Sequence, residues 1–367
     1  MSQLKAVMLV SAHAGLELRA EVEMGLRPCP DFLRLEQRFD VSLLDWTRLG
    51  VGSGGRSPSR SLRHVAAALR ELDRCDVVLS DGEHVGIPLA MAMAVRRAEF
   101  HHVMIGHQLV TRPKAPFFTL LRVQHRIDRV IVHSRHHLEV AHERLGISRS
   151  KLRLVPYGVD TNFWRPADVA EERLVVASGR DHRDFTTLAR SCHSLNCRVF
   201  LTLASLHSAG ARALTPTTWP NNFDHAFLDY VGLRRIYARA SVVVVPMMRV
   251  DFPAGITSLL EAMAMSKAVV VSASPGLAGI VEDGETGVIV PPGDPDRMRD
   301  AISWLLERPA ERARLGANAR QAAVERFNLD VFSRSLAAEM KEVTGATGRE
   351  LRPCGLSGNG TDVRTSP

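Results

Sequence analysis

The chain has 367 residues, 45% hydrophobic and 24% charged, the composition of a folded globular protein with room for two domains. Its 47 basic and 40 acidic residues leave a net charge of +7. No apolar run approaches a membrane-spanning length, the first residues lack the layout of a secretory signal, and five sparse cysteines (29, 75, 192, 197 and 354) fit a reducing cytoplasm.

In chain order, short apolar runs alternate with amphipathic stretches, the pattern of parallel sheets in a doubly wound α/β architecture. Strands are expected at residues 6–10, 39–44, 77–79, 102–105, 130–132 and 152–155, with helices at 61–73, 87–97 and 136–145 between them. A Gly-, Ser-, Arg- and Pro-rich stretch at 52–61 reads as a loop. After a connector at 166–172 the pattern restarts. Strands are expected at 174–177, 198–202, 241–246, 268–272 and 287–290, and helices at 185–192, 233–239, 258–265, 295–306 and 310–326. Asp294-Pro295 is a helix start, with Asp at the cap and Pro in the first turn. The expected division is a domain over residues 1–165, a second over 166–330, a helix over 331–343, and a disordered tail over 344–367.

Two such domains would face each other across a cleft, with ligands at the carboxyl ends of the strands. Neither half carries G-x-G-x-x-G or a Walker A motif, which argues against a nicotinamide dehydrogenase and a P-loop NTPase. The richest segment is Asp251-Phe-Pro-Ala-Gly-Ile-Thr-Ser-Leu-Leu-Glu261. Small residues open a helix there, so the backbone N–H groups of Ala254, Gly255, Ile256 and Thr257 are expected to be free to hold an anion. Glu261, in the second turn, could accept two hydrogen bonds from a diol, or could be an ordinary solvated helix carboxylate.

The surplus charge is localised. Residues 1–165 hold 24 basic and 17 acidic residues, and 112–153 alone hold ten and three. This points to an anionic partner. Phe117, Phe118, Leu120, Leu121 and Val123 among these charges suggest an interfacial amphipathic helix, or a helix packed on the sheet with a basic outer face. The segment has few aromatics to stack bases, which makes nucleic acid a remote partner. His133, Ser134, His136 and His137 invite a metal reading, but no carboxylate or Cys shares the spacing and Ser134 reads as a cap.

Taken together, Val130-Ile-Val-His-Ser134, Val155-Pro-Tyr-Gly-Val-Asp160, Ser178-Gly-Arg180, Leu260-Glu-Ala-Met-Ala264, Val281-Glu-Asp-Gly-Glu-Thr-Gly287 and Val290-Pro-Pro-Gly-Asp294 resemble glycosyltransferase family 4. The resemblance runs in order from about residue 100 to 330. It implies a GT-B fold, in which two Rossmann-like domains face across a cleft, and retaining transfer from a nucleoside diphosphate sugar without a metal or other cofactor. It also implies roles. Glu261 would bind the donor ribose, Gly179 and Gly255 with its neighbours would approach the sugar and diphosphate, Arg180 would neutralise the leaving diphosphate, and His107 would lie near the transferred sugar. The chain departs from the pattern at Pro253, where the first Glu of E-x7-E belongs, with Asp251 two residues away. It departs again at Phe185, where a Lys is usual, and Arg183 is the nearby substitute.

On the acceptor side, His13 and Gly15 follow the first strand and Glu83 and His84 the third, each readable as a cleft residue or as loop and cap chemistry. The acceptor is expected to be anionic or membrane-associated, and the protein cytoplasmic or peripheral at a membrane. A GT-B sugar-nucleotide epimerase and a family relative that only binds nucleotide-sugar are the alternatives.

Overall fold

A computed structural model describes residues 3–51, 57–96, 99–202, 216–345 and 348–355. The strands are β1 (Leu4–Leu9), β2 (Ser42–Leu44), β3 (Val77–Ser80), β4 (His101–Ile105), β5 (Arg129–Val132), β6 (Leu152–Leu154), β7 (Glu172–Ser178), β8 (Arg198–Thr202), β9 (Phe223–Ala226), β10 (Ala240–Val245), β11 (Ala268–Ser272), β12 (Val288–Val290) and β13 (Leu351–Pro353). They form two all-parallel sheets. The first runs β13-β1-β3-β4-β5-β6 and the second β12-β11-β10-β7-β8-β9. In the second, Val242 to Val245 pair with Ala268 to Val271, and both strands are buried along their length, as expected of strands covered by helices on both faces. The order of each sheet reverses beside its first strand, which opens a crevice at the carboxyl ends there.

The chain crosses between the sheets twice, and the crossings are stitched together. Val159 N–H donates to Phe327 (2.8 Å) and Leu329 N–H to Val159 (3.0 Å). Gly158 is required here, because a Cβ would lie 2.6 Å from Cβ of Phe332. Asp160 accepts the N–H groups of Cys29, Asn162 and Phe163, tying the connector to the first domain.

The return crossing corrects two expectations. The helix Leu329–Val343 buries Phe332, Leu336 and Met340 in the first-domain core with Met8, Leu33 and Ile105, and Arg129 bridges its Glu339 and Glu342. It is thus part of the first body. The expected disordered tail includes β13, which pairs with Leu4 to Ala6 of β1, end to end with β2 on the same edge. Cys354 after β13 is bonded to Cys75, 279 residues away, which runs against the expectation drawn from sparse cysteines of a reducing cytoplasm. Cys29, Cys192 and Cys197 are free and buried. Residues 356–367 lie outside the described residues. So do 52–56 of the expected loop, whose far end instead starts the helix Pro58–Leu72, capped by Ser57. The helices Leu16–Glu23 and Asp31–Phe39 and strand β9 were not expected either. Among the described residues no helix is long and apolar enough to cross a membrane.

Candidate active site

The carboxyl end of β7 leads into Gly179-Arg180-Asp181-His182-Arg183, and Asp184 then caps the helix Phe185–Cys192 by accepting Thr187 N–H (2.9 Å). The two arginines diverge. Arg180 is exposed, and its guanidinium makes no hydrogen bond or ion pair among the described residues. Arg183 is 3% exposed. Its Nε donates to Ser178 O (2.9 Å), Nη1 to Asp181 O and Met247 Sδ (3.0 Å each) and Nη2 to Ser258 Oγ (3.0 Å). Burial brings its pKa down to about 10. The expected phosphate-ligand role for Arg183 is therefore corrected, since its donors are spent on protein. It is a brace joining the β7 loop to the helix Ile256–Ala264.

That helix begins at Gly255, whose φ of +86° puts it in the left-handed region. A side chain there would be strained, and its Cβ would meet Met247 Sδ at 2.6 Å. The expectation of four free amides also needs correction. Ala254 N–H closes a turn onto Phe252 O (2.7 Å) and Ile256 N–H onto Pro253 O (3.3 Å). The N–H groups of Gly255 and Thr257 find no acceptor among the described residues and form an anion-ready pair.

Glu261 is 7% exposed and lies beside Arg183 and Tyr237, whose hydroxyl is bonded to Ser178 Oγ. Burial pushes its carboxyl up to about 8, against the opposing pull of Arg183 and Tyr237. The unfolded carboxyl titrates near 4.5, so between these values only the folded chain holds the proton. This contribution to stability is complete below pH 4.5 and is lost as pH rises through 8. Glu261→Gln should remove it. Relative to wild type, the variant's Tm should rise by roughly 5 °C between pH 5 and pH 8 in thermal melts. A constant difference across that range would show that Glu261 is ionised throughout.

In the first domain, Glu83 opens the helix Glu83–Val95 and is 4% exposed. It accepts the N–H groups of His107 (2.9 Å) and Gln108 (3.2 Å) and is ion-paired with Lys114. Burial alone would push its carboxyl up, but the Lys114 ammonium and the His107 imidazole outweigh that and hold it below the usual carboxylate range. Glu83 is thus committed to shaping the loop after β4 and is not free to orient an acceptor. His107 Nε2 donates to Asp81 O (2.9 Å), and its ring lies 5.5 Å from that of His133. Asp81 in turn accepts from Ser11 N–H and Oγ, which joins the loops after β1 and β3. His84 lies 3.6 Å from Asp81. His13 is exposed, with Nδ1 on Thr47 Oγ1 (3.1 Å), and Gly15 precedes the helix Leu16–Glu23 beside Thr47. His133 and His137 are buried, and burial above all drives their pKa values down to about 3 and 4, so both stay neutral.

Asp251, expected on the donor, instead spans the domains. Its Oδ1 accepts from His136 Nε2 (2.8 Å) and its Oδ2 from Arg144 Nη1 (2.7 Å), both on the helix Arg135–Leu145. Pro253 is buried in the turn, so this loop offers no free carboxylate where the first Glu of the motif would stand. The latch does bring the strand ends of the two sheets together. His107 follows β4 in the first domain, while Gly179 and Arg180 follow β7 and Gly255, Thr257 and Glu261 open the helix after β10 in the second. Sequence reasoning missed the latch, Lys114 and Tyr237, none of which carries a local motif. Among the described residues no cluster of His, Cys, Asp or Glu could hold a metal ion.

Comparison with known proteins agrees with this fold. Residues 16–163 match the family model described as Glycosyltransferase Family 4, and residues 221–322 match Glycosyl transferases group 1. An MMP α-(1→4)-mannosyltransferase of Mycolicibacterium hassiacum is 26% identical over 192 residues, 50% of this chain and 46% of that protein. A D-inositol 3-phosphate glycosyltransferase of a Nocardioides species is 36% identical over 117 residues, 30% and 25% of the two chains. The matches span about half of the first curated relatives' length or less. Among solved structures, sucrose-phosphate synthase from Thermosynechococcus elongatus aligns with a TM-score of 0.71 at 19% identity, covering 93% of this chain and 100% of that one. Anabaena HepE in complex with UDP and glucose aligns with a TM-score of 0.67 at 14% identity, covering 92% and 100%. The two facing Rossmann-like domains are thus a GT-B glycosyltransferase fold. With family models matched in order in both halves, the chain belongs to the family-4 type of glycosyltransferases.

Proposed function

We propose that this protein transfers a sugar from a nucleoside diphosphate sugar to an acceptor hydroxyl with retention of anomeric configuration. The observation that carries the reading is the pairing of an exposed, unpartnered Arg180 with the free amides of Gly255 and Thr257, on two loops joined by buried Arg183. Donors fixed in this way suit charge that develops on a departing diphosphate. The C1–oxygen bond to the diphosphate breaks, a bond from C1 to the acceptor oxygen forms on the same face, and the acceptor proton passes to the leaving phosphate oxygen. Glu261 would receive the ribose hydroxyls. The complexes of the Anabaena neighbour with UDP and glucose and with UDP-glucose support a nucleotide-sugar donor.

The acceptor side is less basic in effect than its sequence. Of the ten basic residues in 112–153, Lys114, Arg129, Arg144, Arg149 and Arg153 are ion-paired within the chain, and Lys151 donates to carbonyls. Phe118 and Val123 are core residues, which favours the helix packed on the sheet over the interfacial one. Exposed Arg112, Arg122, Arg126 and Arg135, with Leu120 and Leu121, are what remain to support an anionic acceptor or a peripheral membrane contact.

A thermal-shift panel of UDP-, GDP- and dTDP-sugars tests the donor site. One nucleotide series should raise Tm in a concentration-dependent way, and Glu261→Ala should require at least about tenfold more donor for the same shift. No shift with any donor would contradict the proposal.

A further inference from the structure

Behind the latch, where the connector crosses between the domains, two adjoining cavities of about 290 and 430 Å³ share Arg165 and Arg234 in their walls. Arg27 and Arg34 of the first domain line the smaller one, and Arg235 lines the larger. Asp160 is the one lining carboxylate, and its oxygens are already occupied by three backbone N–H groups. Arg165 and Arg235 have no acidic partner among the described residues. Arg34 faces Asp330 at 3.5 Å without a hydrogen bond, and its Nε is buried without an acceptor, as is that of Arg27. Arg27 also pairs with Glu21 at 3.1 Å. Aromatic rings hold two of these guanidinium groups in place. Arg234 stacks 4.4 Å over Phe163, and Arg27 5.3 Å over Tyr230.

Like charges gathered around a hollow repel one another unless an anion fills it, and a guanidinium fork matches phosphoryl oxygens best. We infer that this junction is a binding site for a phosphorylated small molecule, separate from the donor site, with its phosphoryl group held between Arg34 and Arg234 and its carbon skeleton against Phe163 and Val22. The occupant would touch both domains and the connector. The smaller cavity is near the lower limit of small-molecule pockets, a fit for a phosphorylated monosaccharide.

Titration calorimetry on the full chain tests this directly, with glucose 6-phosphate, inorganic phosphate and glucose as probes. Glucose 6-phosphate should bind, more tightly than inorganic phosphate and with an affinity that falls as salt rises, and glucose should not bind. Arg34→Gln and Arg234→Gln should each weaken binding about tenfold or more. Arg165→Gln, at an exposed side chain, gives a third reading should either of those fail to fold. Arg180→Ala should leave the affinity unchanged. Absence of phosphate binding, binding insensitive to all three junction substitutions, or loss of binding in Arg180→Ala would overturn the inference. The last result would mean that the probe occupies the donor site.

Discussion

Arg180→Ala should lower turnover by about 10²–10³-fold, the usual effect of deleting one placed donor to developing oxyanion charge. Its Tm should stay within about 2 °C of wild type, because the guanidinium makes no hydrogen bond or ion pair with the described residues. The loss should fall mainly on kcat. Charge on the bridging oxygen grows as the C1–oxygen bond breaks, so the interaction is stronger in the transition state than in the bound donor. Steady-state kinetics with the best donor separates the two parameters. Near wild-type kcat would remove Arg180 from the leaving-group role.

Arg183→Ala should show the opposite signature although it lies three residues away. Removing the guanidinium strands Ser178 O, Asp181 O and Ser258 Oγ in a buried setting. Breaking a buried charged network of this kind costs about 3–5 kcal/mol, or a Tm loss of roughly 10 °C. Donor affinity should fall with it, because Gly179 and Gly255 both press against this side chain. Arg183→Lys keeps a charge but cannot span the three partners, so it should recover only part of the stability. Calorimetric melts decide the matter. An unchanged Tm in Arg183→Ala would mean that the loops are braced by other contacts and that Arg183 is free for the ligand.

The contrast between these two arginines shows where the sequence was legible. The Ser178-Gly179-Arg180 run and Glu261 follow a strand end and sit on a helix, so local pattern and family resemblance point to them. Which way Arg183 turns depends on Met247 and Ser258, more than 60 residues on, and no local signal carries that. Alternation of strands and helices made both sheets readable, because strands buried on both faces are apolar throughout. The partners of the helix Leu329–Val343 and of β13 were not readable, since an apolar stripe fits any core. Asp251 read as a stand-in for the missing Glu because it lies near Pro253, yet its partners His136 and Arg144 sit more than 100 residues earlier on the other domain. Likewise the +7 charge looked like a ligand patch until the ion pairs of Arg129, Arg144, Arg149 and Arg153 showed much of it neutralised within the chain.

The central claim is retaining glycosyl transfer at the loops braced by Arg183. Proton NMR of the reaction, with the donor selected by thermal shift and water as the acceptor, tests it most directly. An α-linked donor should release nucleoside diphosphate and the α-anomer of the free sugar before mutarotation, at a rate that Arg180→Ala cuts by about 10² or more. First appearance of the β-anomer, or no nucleoside diphosphate released from any donor, would contradict the account.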